Sequence, residues 1–88
     1  MQSVFLSKFE KDLSKINLKS ILKDIEDAIY IVDNAQSLKE IPHLKKLKGF
    51  KNAYRIKIGN YRIGVFIEND ILEFARVVHR KDIYNLFP

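Results

Sequence analysis

The sequence predicts a single α+β domain: an N-terminal strand, a helical hairpin, then a three-stranded antiparallel meander with a short C-terminal tail. Three observations carry that expectation. Apolar residues recur about every 3.6 positions from Leu18 to Val32, and the period switches to two from Ala53 onward. The length of 88 residues, with no repeat or Pro/Gly/Ser-rich linker, leaves room for one modest core and no second domain. A chain this short buries roughly 60–65% of the surface its unfolded form exposes, so little area remains for an internal cofactor cavity.

Taken in order, Ser3-Val4-Phe5-Leu6 is short and apolar and reads as the first strand. Ser7-Lys8-Phe9-Glu10 matches a Ser-x-x-Glu capping box, in which side chains satisfy the free donors of a helix start, and Phe9, Leu13 and Ile16 follow at helical spacing. The second helix is the clearest element. Leu18, Ile21, Leu22, Ile25, Ala28, Ile29 and Val32 form one stripe, with Lys19, Lys23, Glu26, Asp27 and Asp33 off it. Residues 34–52 lose any period, and Asn34, Pro42, Gly49 and a run of lysines mark a surface connection. Tyr54, Ile56 and Ile58 then alternate with Arg55 and Lys57, and Gly59-Asn60 signals a two-residue hairpin turn. Tyr61, Ile63, Val65 and Ile67 alternate with Arg62, Gly64 and Phe66. Asn69-Asp70 marks the next turn, and a last strand runs to His79. Residues Lys81 to Phe87 form the tail, anchored by Ile83, Leu86 and Phe87.

Composition excludes several functions. No cysteine is present, so disulfides, thiolate metal sites and thiol nucleophiles are absent. Two histidines without an acidic cluster at ligand spacing make a metal site unexpected, and no glycine-rich phosphate loop points to a nucleotide cofactor. No run approaches the about 20 apolar residues of a membrane span, and the N-terminus lacks a signal-peptide pattern, so a cytoplasmic protein with no membrane partner is expected.

Charge is more informative. The net charge is +5, and the excess is concentrated. Residues 39–62 hold Lys39, Lys45, Lys46, Lys48, Lys51, Arg55, Lys57 and Arg62 against the single acid Glu40, while the segments on either side are close to neutral. Such a patch suits a polyanion, and nucleic acid is the commonest one.

The hairpin register places part of that charge. With Gly59-Asn60 as the turn, Ile58 faces Tyr61, Lys57 faces Arg62, Ile56 faces Ile63 and Arg55 faces Gly64. The Tyr54, Ile56, Ile58, Tyr61, Ile63 and Val65 face suits helix packing, and the opposite face carries Arg55, Lys57 and Arg62. Like charges directly opposed on a sheet are destabilising, so an anion is expected between them. Counting on through Asn69-Asp70 puts Phe66 opposite Glu73, Gly64 opposite Ala75 and Arg62 opposite Val77, with His79 on the cationic face. The small Gly64 and Ala75 then leave a hollow for a nucleotide or phosphate. This register turns Arg76 toward the apolar side, which calls for an edge position or a bulge in the last strand.

The strings Leu47-Lys48-Gly49, Tyr54-Arg55-Ile56-Lys57-Ile58-Gly59-Asn60-Tyr61-Arg62-Ile63 and His79-Arg80-Lys81-Asp82-Ile83-Tyr84 resemble the RelE/ParE superfamily of toxin–antitoxin toxins, the RelE side in particular. The resemblance spans nearly the whole chain. It implies a RelE-like microbial RNase fold and a ribosome-dependent, metal-independent endoribonuclease. Such an enzyme cuts mRNA in the ribosomal A site, inhibits translation and is neutralised by a cognate RelB-like antitoxin. Carried over by position, Lys57 is the candidate base, Arg62 holds the scissile phosphate with Arg55 assisting, and Arg80 is the leaving-group acid or transition-state clamp. Tyr84 orients or stacks on a base. His79, where family members differ, is a second candidate for acid–base duty, so the base lies open between Lys57 and His79. Lys45, Lys46, Lys48 and Lys51 are expected to grip ribosomal RNA phosphates. Two other readings stand beside this one: a ParE-like inhibitor of DNA gyrase that cuts nothing, and a degenerate toxin that only binds antitoxin or RNA.

Overall fold

The computed structural model describes residues 1–88 and has the expected α+β architecture. Its elements are β1 (Gln2–Phe5), α1 (Ser7–Ser14), α2 (Lys19–Asn34), a 3-10 turn (Leu38–Glu40), β2 (Leu44–Lys46), β3 (Ala53–Ile58), β4 (Tyr61–Glu68), β5 (Ile71–His79) and α3 (Ile83–Leu86). The strands form one five-stranded sheet in the order β1-β5-β4-β3-β2. β1 joins β5 in parallel and every other pairing is antiparallel.

Helices α1 and α2 cover one face. Phe9, Ile16, Ile25 and Val32 meet Ile56, Ile63, Val65, Phe74 and Val77 there to form the main core. The stripe on α2 faces the core as its period predicts, with Ile25 and Val32 buried and Ile21, Leu22, Ala28 and Ile29 half-buried, except that Leu18 lies outside the helix as its N-cap and stays exposed. The capping box does not form. Ser7 is already helical, Leu6 is the N-cap residue, and Glu10 N–H donates to the Leu6 carbonyl instead. A second, smaller apolar cluster of Ala53, Ala75, Ile83 and Phe87 lies on the opposite face, under α3.

The β3–β4 register is the one the turn predicts, from Ile58 opposite Tyr61 to Arg55 opposite Gly64. β4–β5 follows expectation only near its own turn, where Asn69 and Asp70 both take positive φ and Phe66 faces Glu73. A bulge then intervenes: Val65 pairs with Phe74 and Gly64 with Arg76, so Ala75 is the extra residue. Gly64 therefore does not face Ala75, and Arg62 pairs with Val78 rather than Val77. The bulge turns Arg76 out of the apolar layer. Beyond the end of β1, the Asp12 carboxylate of α1 takes the place of a strand neighbour. It accepts Arg76 Nε at 2.7 Å, Arg76 Nη2 at 3.1 Å and the Val77 N–H at 3.1 Å. No helix is long and apolar enough to cross a membrane.

Candidate active site

The face away from α1 and α2 carries the cationic residues. Alternation along β3 and β4 directs Arg55, Lys57 and Arg62 there, and Lys57 lies directly opposite Arg62. The supposed connection at 34–52 contributes as well: its residues 44–46 form strand β2, which pairs with β3 and sets Lys45 opposite Arg55. The result is an open basin of about 460 Å³ lined by His43, Leu44, Lys45, Arg55, Lys57 and Arg62. No carboxylate borders it. The ion pairs of the molecule, Lys23–Asp27 and Arg76–Asp12, lie elsewhere, so the basin cations are uncompensated.

Two of these side chains are held by polar contacts. Arg62 Nη1 donates to the carbonyls of Gly59 and Tyr61, both at 2.9 Å, which ties its guanidinium to the hairpin turn. Arg55 Nη1 donates to the Tyr84 hydroxyl at 2.7 Å, and its guanidinium carbon lies 5.5 Å from the centre of that ring. The bond and the charge of Arg55 push the Tyr84 phenol below its ordinary pKa, and Arg62 and Lys45 add to the shift at longer range. Tyr84 is 73% exposed, so most of its ring is open to a ligand. It stands on α3, whose neighbours Ile83 and Phe87 are buried against the sheet.

Arg80 follows the end of β5. Its N–H donates to the Asn60 carbonyl at 2.8 Å, which fixes it at the hairpin end of the sheet together with Arg62. His79 does not join the cluster. The bulge reverses the facing of β5, so His79 pairs with Tyr61, packs edge-on to that ring at 5.7 Å, and accepts the Lys81 N–H on Nδ1. The histidine at the basin is His43, whose positive φ of 63° turns the chain into β2 and whose carbonyl accepts the Lys57 N–H. Nothing in the sequence singles it out beyond its place in the basic segment.

The expected hollow exists but is filled. A Cβ on Gly64 would come within 2.5 to 2.7 Å of the Phe87 ring, which also packs 5.0 Å from Phe66. The space is the seat of the tail, not of a nucleotide. Among the remaining lysines, Lys46 pairs with Tyr54 and faces the helix side, while Lys48 and Lys51 stand exposed on the loop between β2 and β3.

The crowding of like charges has a measurable cost. Lys57→Thr is expected to stabilise the free protein by about 0.2–1 kcal/mol, since it relieves the opposed Lys57–Arg62 pair. For a domain of this size that is a rise in Tm of roughly 1–8 °C, read by thermal melting at low salt. A lower Tm in the variant would mean that the pair is not repulsive.

The comparisons agree with one another. The family model for the ParE toxin of type II toxin–antitoxin systems (parDE) matches residues 4–84. Toxin RelE3 of Methanocaldococcus jannaschii is 43% identical over 89 residues, covering 100% of both chains. In structure, the chain is similar to the RelB-RelE antitoxin-toxin complex from Methanococcus jannaschii, with a TM-score of 0.81 and 42% identity over 97% of this chain and 99% of that one. The YoeB dimer from Staphylococcus aureus shares the fold at a TM-score of 0.73 and 19% identity, over 91% of this chain and 97% of that one.

Proposed function

The chain belongs to the RelE/ParE superfamily of type II toxin–antitoxin toxins, and on that premise we propose that it is a ribosome-dependent, metal-independent endoribonuclease that cuts mRNA in the ribosomal A site and so inhibits translation. The observation that carries this reading is the carboxylate-free basin of Lys45, Arg55, Lys57 and Arg62, with Tyr84 bonded to Arg55 at its rim.

In this reading the ribose 2′-oxygen attacks the adjacent phosphorus as the bond from phosphorus to the 5′-oxygen breaks. The products are a 2′,3′-cyclic phosphate and a 5′-hydroxyl end. Lys57 is the base that takes the 2′-hydroxyl proton. Arg62 and Arg55 bind the non-bridging oxygens, whose charge grows as the phosphorane forms, and fixed cations stabilise that state more than the starting diester. Arg80 clamps or protonates the departing 5′-oxygen. Tyr84 stacks on a neighbouring base, as aromatic side chains do with unpaired RNA. His79, across the sheet beside Tyr61, takes no part. Lys45, Lys48 and Lys51 hold RNA phosphates.

The partner is a cognate RelB-like antitoxin, by analogy with the Methanococcus jannaschii complex. Its contact segment is acidic, because the basin to be covered has no carboxylate of its own. In the cell the protein acts in the cytoplasm, on translating ribosomes.

The test is primer extension on a defined mRNA in a reconstituted translation reaction, with and without ribosomes. Wild-type protein is expected to cut inside A-site codons only when ribosomes are present, and Arg62→Ala or Arg80→Ala to lower cleavage by about 100-fold or more while remaining folded. Wild-type rates in both variants would sink the assignment. The matching family model is that of the ParE toxin, so a gyrase inhibitor is the reading to separate. Intact mRNA, active translation and a DNA-damage response on expression would favour it.

A further inference from the structure

Between β2 and β3 lies a loop that the cleavage chemistry does not use. Leu47, Lys48, Gly49 and Phe50 form a tight turn in which the Phe50 N–H donates to the Leu47 carbonyl at 3.3 Å and Gly49 takes φ +87°. That positive φ at the third position is the geometry of a type II turn, which glycine adopts without strain. The loop is tied down at both ends. Leu47 N–H donates to the Ala53 carbonyl and Ile67 N–H to the Asn52 carbonyl, each at 2.9 Å, and Leu47 packs under the tail cluster. Phe50 therefore projects from a fixed turn and is 49% exposed. Its sequence neighbours are Lys46, Lys48 and Lys51, and no acidic residue occurs between Glu40 and Glu68.

A half-exposed ring between two lysines that make no ion pair has the two parts of a single-strand nucleic-acid contact, a π-face for a base and cations for the phosphates on either side. We propose that Phe50 is a stacking platform for an unpaired RNA nucleotide, a second contact next to the basin, with Lys48 and Lys51 on the flanking phosphates. Loop and basin share strand β3. Ala53 and Lys57 are four residues apart, about 13 Å along the strand, so both contacts are within reach of one short stretch of RNA. This rests on the reading of the protein as RNA-binding, and does not require that it cut.

The chain contains no tryptophan, so Phe50→Trp places a single fluorophore at the platform. The probe is a short single-stranded 2′-O-methyl oligoribonucleotide, which lacks the attacking hydroxyl, and the control is inorganic polyphosphate at equal phosphate concentration. Saturable quenching by the oligonucleotide and none by polyphosphate is expected. Phe50→Ala should bind the oligonucleotide about 5- to 100-fold more weakly with an unchanged salt slope, whereas Lys48→Ala with Lys51→Ala should flatten that slope. Binding without quenching, unchanged affinity in Phe50→Ala, or no binding to the wild type would each overturn the proposal. So would a Phe50→Ala variant that loses only affinity for an acidic antitoxin peptide, which would make the loop a protein-docking site. Quenching together with intact mRNA in the ribosome assay would leave the platform standing and remove the nuclease.

Discussion

Asp12→Ala is expected to lower stability by about 3–5 kcal/mol, the largest effect of any single change outside the apolar core. The carboxylate accepts three hydrogen bonds, two from Arg76 and one from the Val77 N–H. The Asp12 side chain is 8% exposed and that of Arg76 17%, so water cannot fully replace what is lost. Alanine would leave the Arg76 guanidinium with only the Leu86 carbonyl, 3.4 Å from Nη1, and would strand the Val77 backbone donor at the edge of β5, in the stretch beyond β1 where no other strand pairs. A domain of this length is stable by roughly 4–13 kcal/mol, so the variant should melt at least about 12 °C lower and populate unfolded chain at ordinary temperatures. The pair is not expected to be worth that much in itself. Asp12→Leu combined with Arg76→Met should recover a good part of the loss, because desolvating both charges offsets much of their attraction. Chemical denaturation of the two single variants and the double tests this. A drop below about 1 kcal/mol for Asp12→Ala would show that solvent compensates the site.

The same corner shows where the sequence stops being legible. A two-residue turn fixes a hairpin register, and Gly59-Asn60 therefore places Lys57 against Arg62 and Arg55 against Gly64 with no further information. Asn69-Asp70 does the same for the first half of β4–β5. The extra residue at Ala75 left one trace, an arginine apparently turned inward, but only α1 in place supplies the carboxylate that makes the bulge worthwhile. His79 takes the face opposite to the expected one for the same reason, since one inserted residue reverses every side chain after it. β2 left no trace at all. Its three residues have no period of their own, and they are a strand because β3 offers an edge to pair with. That pairing brings Lys45 and His43 to the basin. The cations of β3 and β4 were therefore visible from the sequence, and the wall that closes the basin on the β2 side was not.

Gly64→Ala is expected to disconnect the tail from the sheet while leaving the main core folded. The added methyl would stand 2.5 Å from the Phe87 ring, closer than packed carbons approach, and the ring has the β4 backbone beneath it. The less costly response is for Phe87 to leave, giving up at most the roughly 1.5–3 kcal/mol of a buried phenylalanine. The helix-side core does not touch this seat and should persist. Tyr84 travels with α3, so it should lose its bond to Arg55, and its phenol pKa, now held down by that guanidinium, should rise toward the ordinary tyrosine value of about 10. Ultraviolet titration at alkaline pH reads this as an upward shift in the ionisation of one of the four tyrosines. On the proposed function, mRNA cleavage should fall about 10-fold or more, the scale of one stacking contact, although Gly64 touches no substrate. The decisive comparison is made in a Phe87→Ala background. There the clash is already gone, and because alanine suits a strand interior better than glycine, the same Gly64→Ala change should turn from destabilising to stabilising by about 0.5 kcal/mol. A destabilisation that stays the same in both backgrounds would mean that Gly64 is needed by the sheet itself and that the tail is held in place by something else.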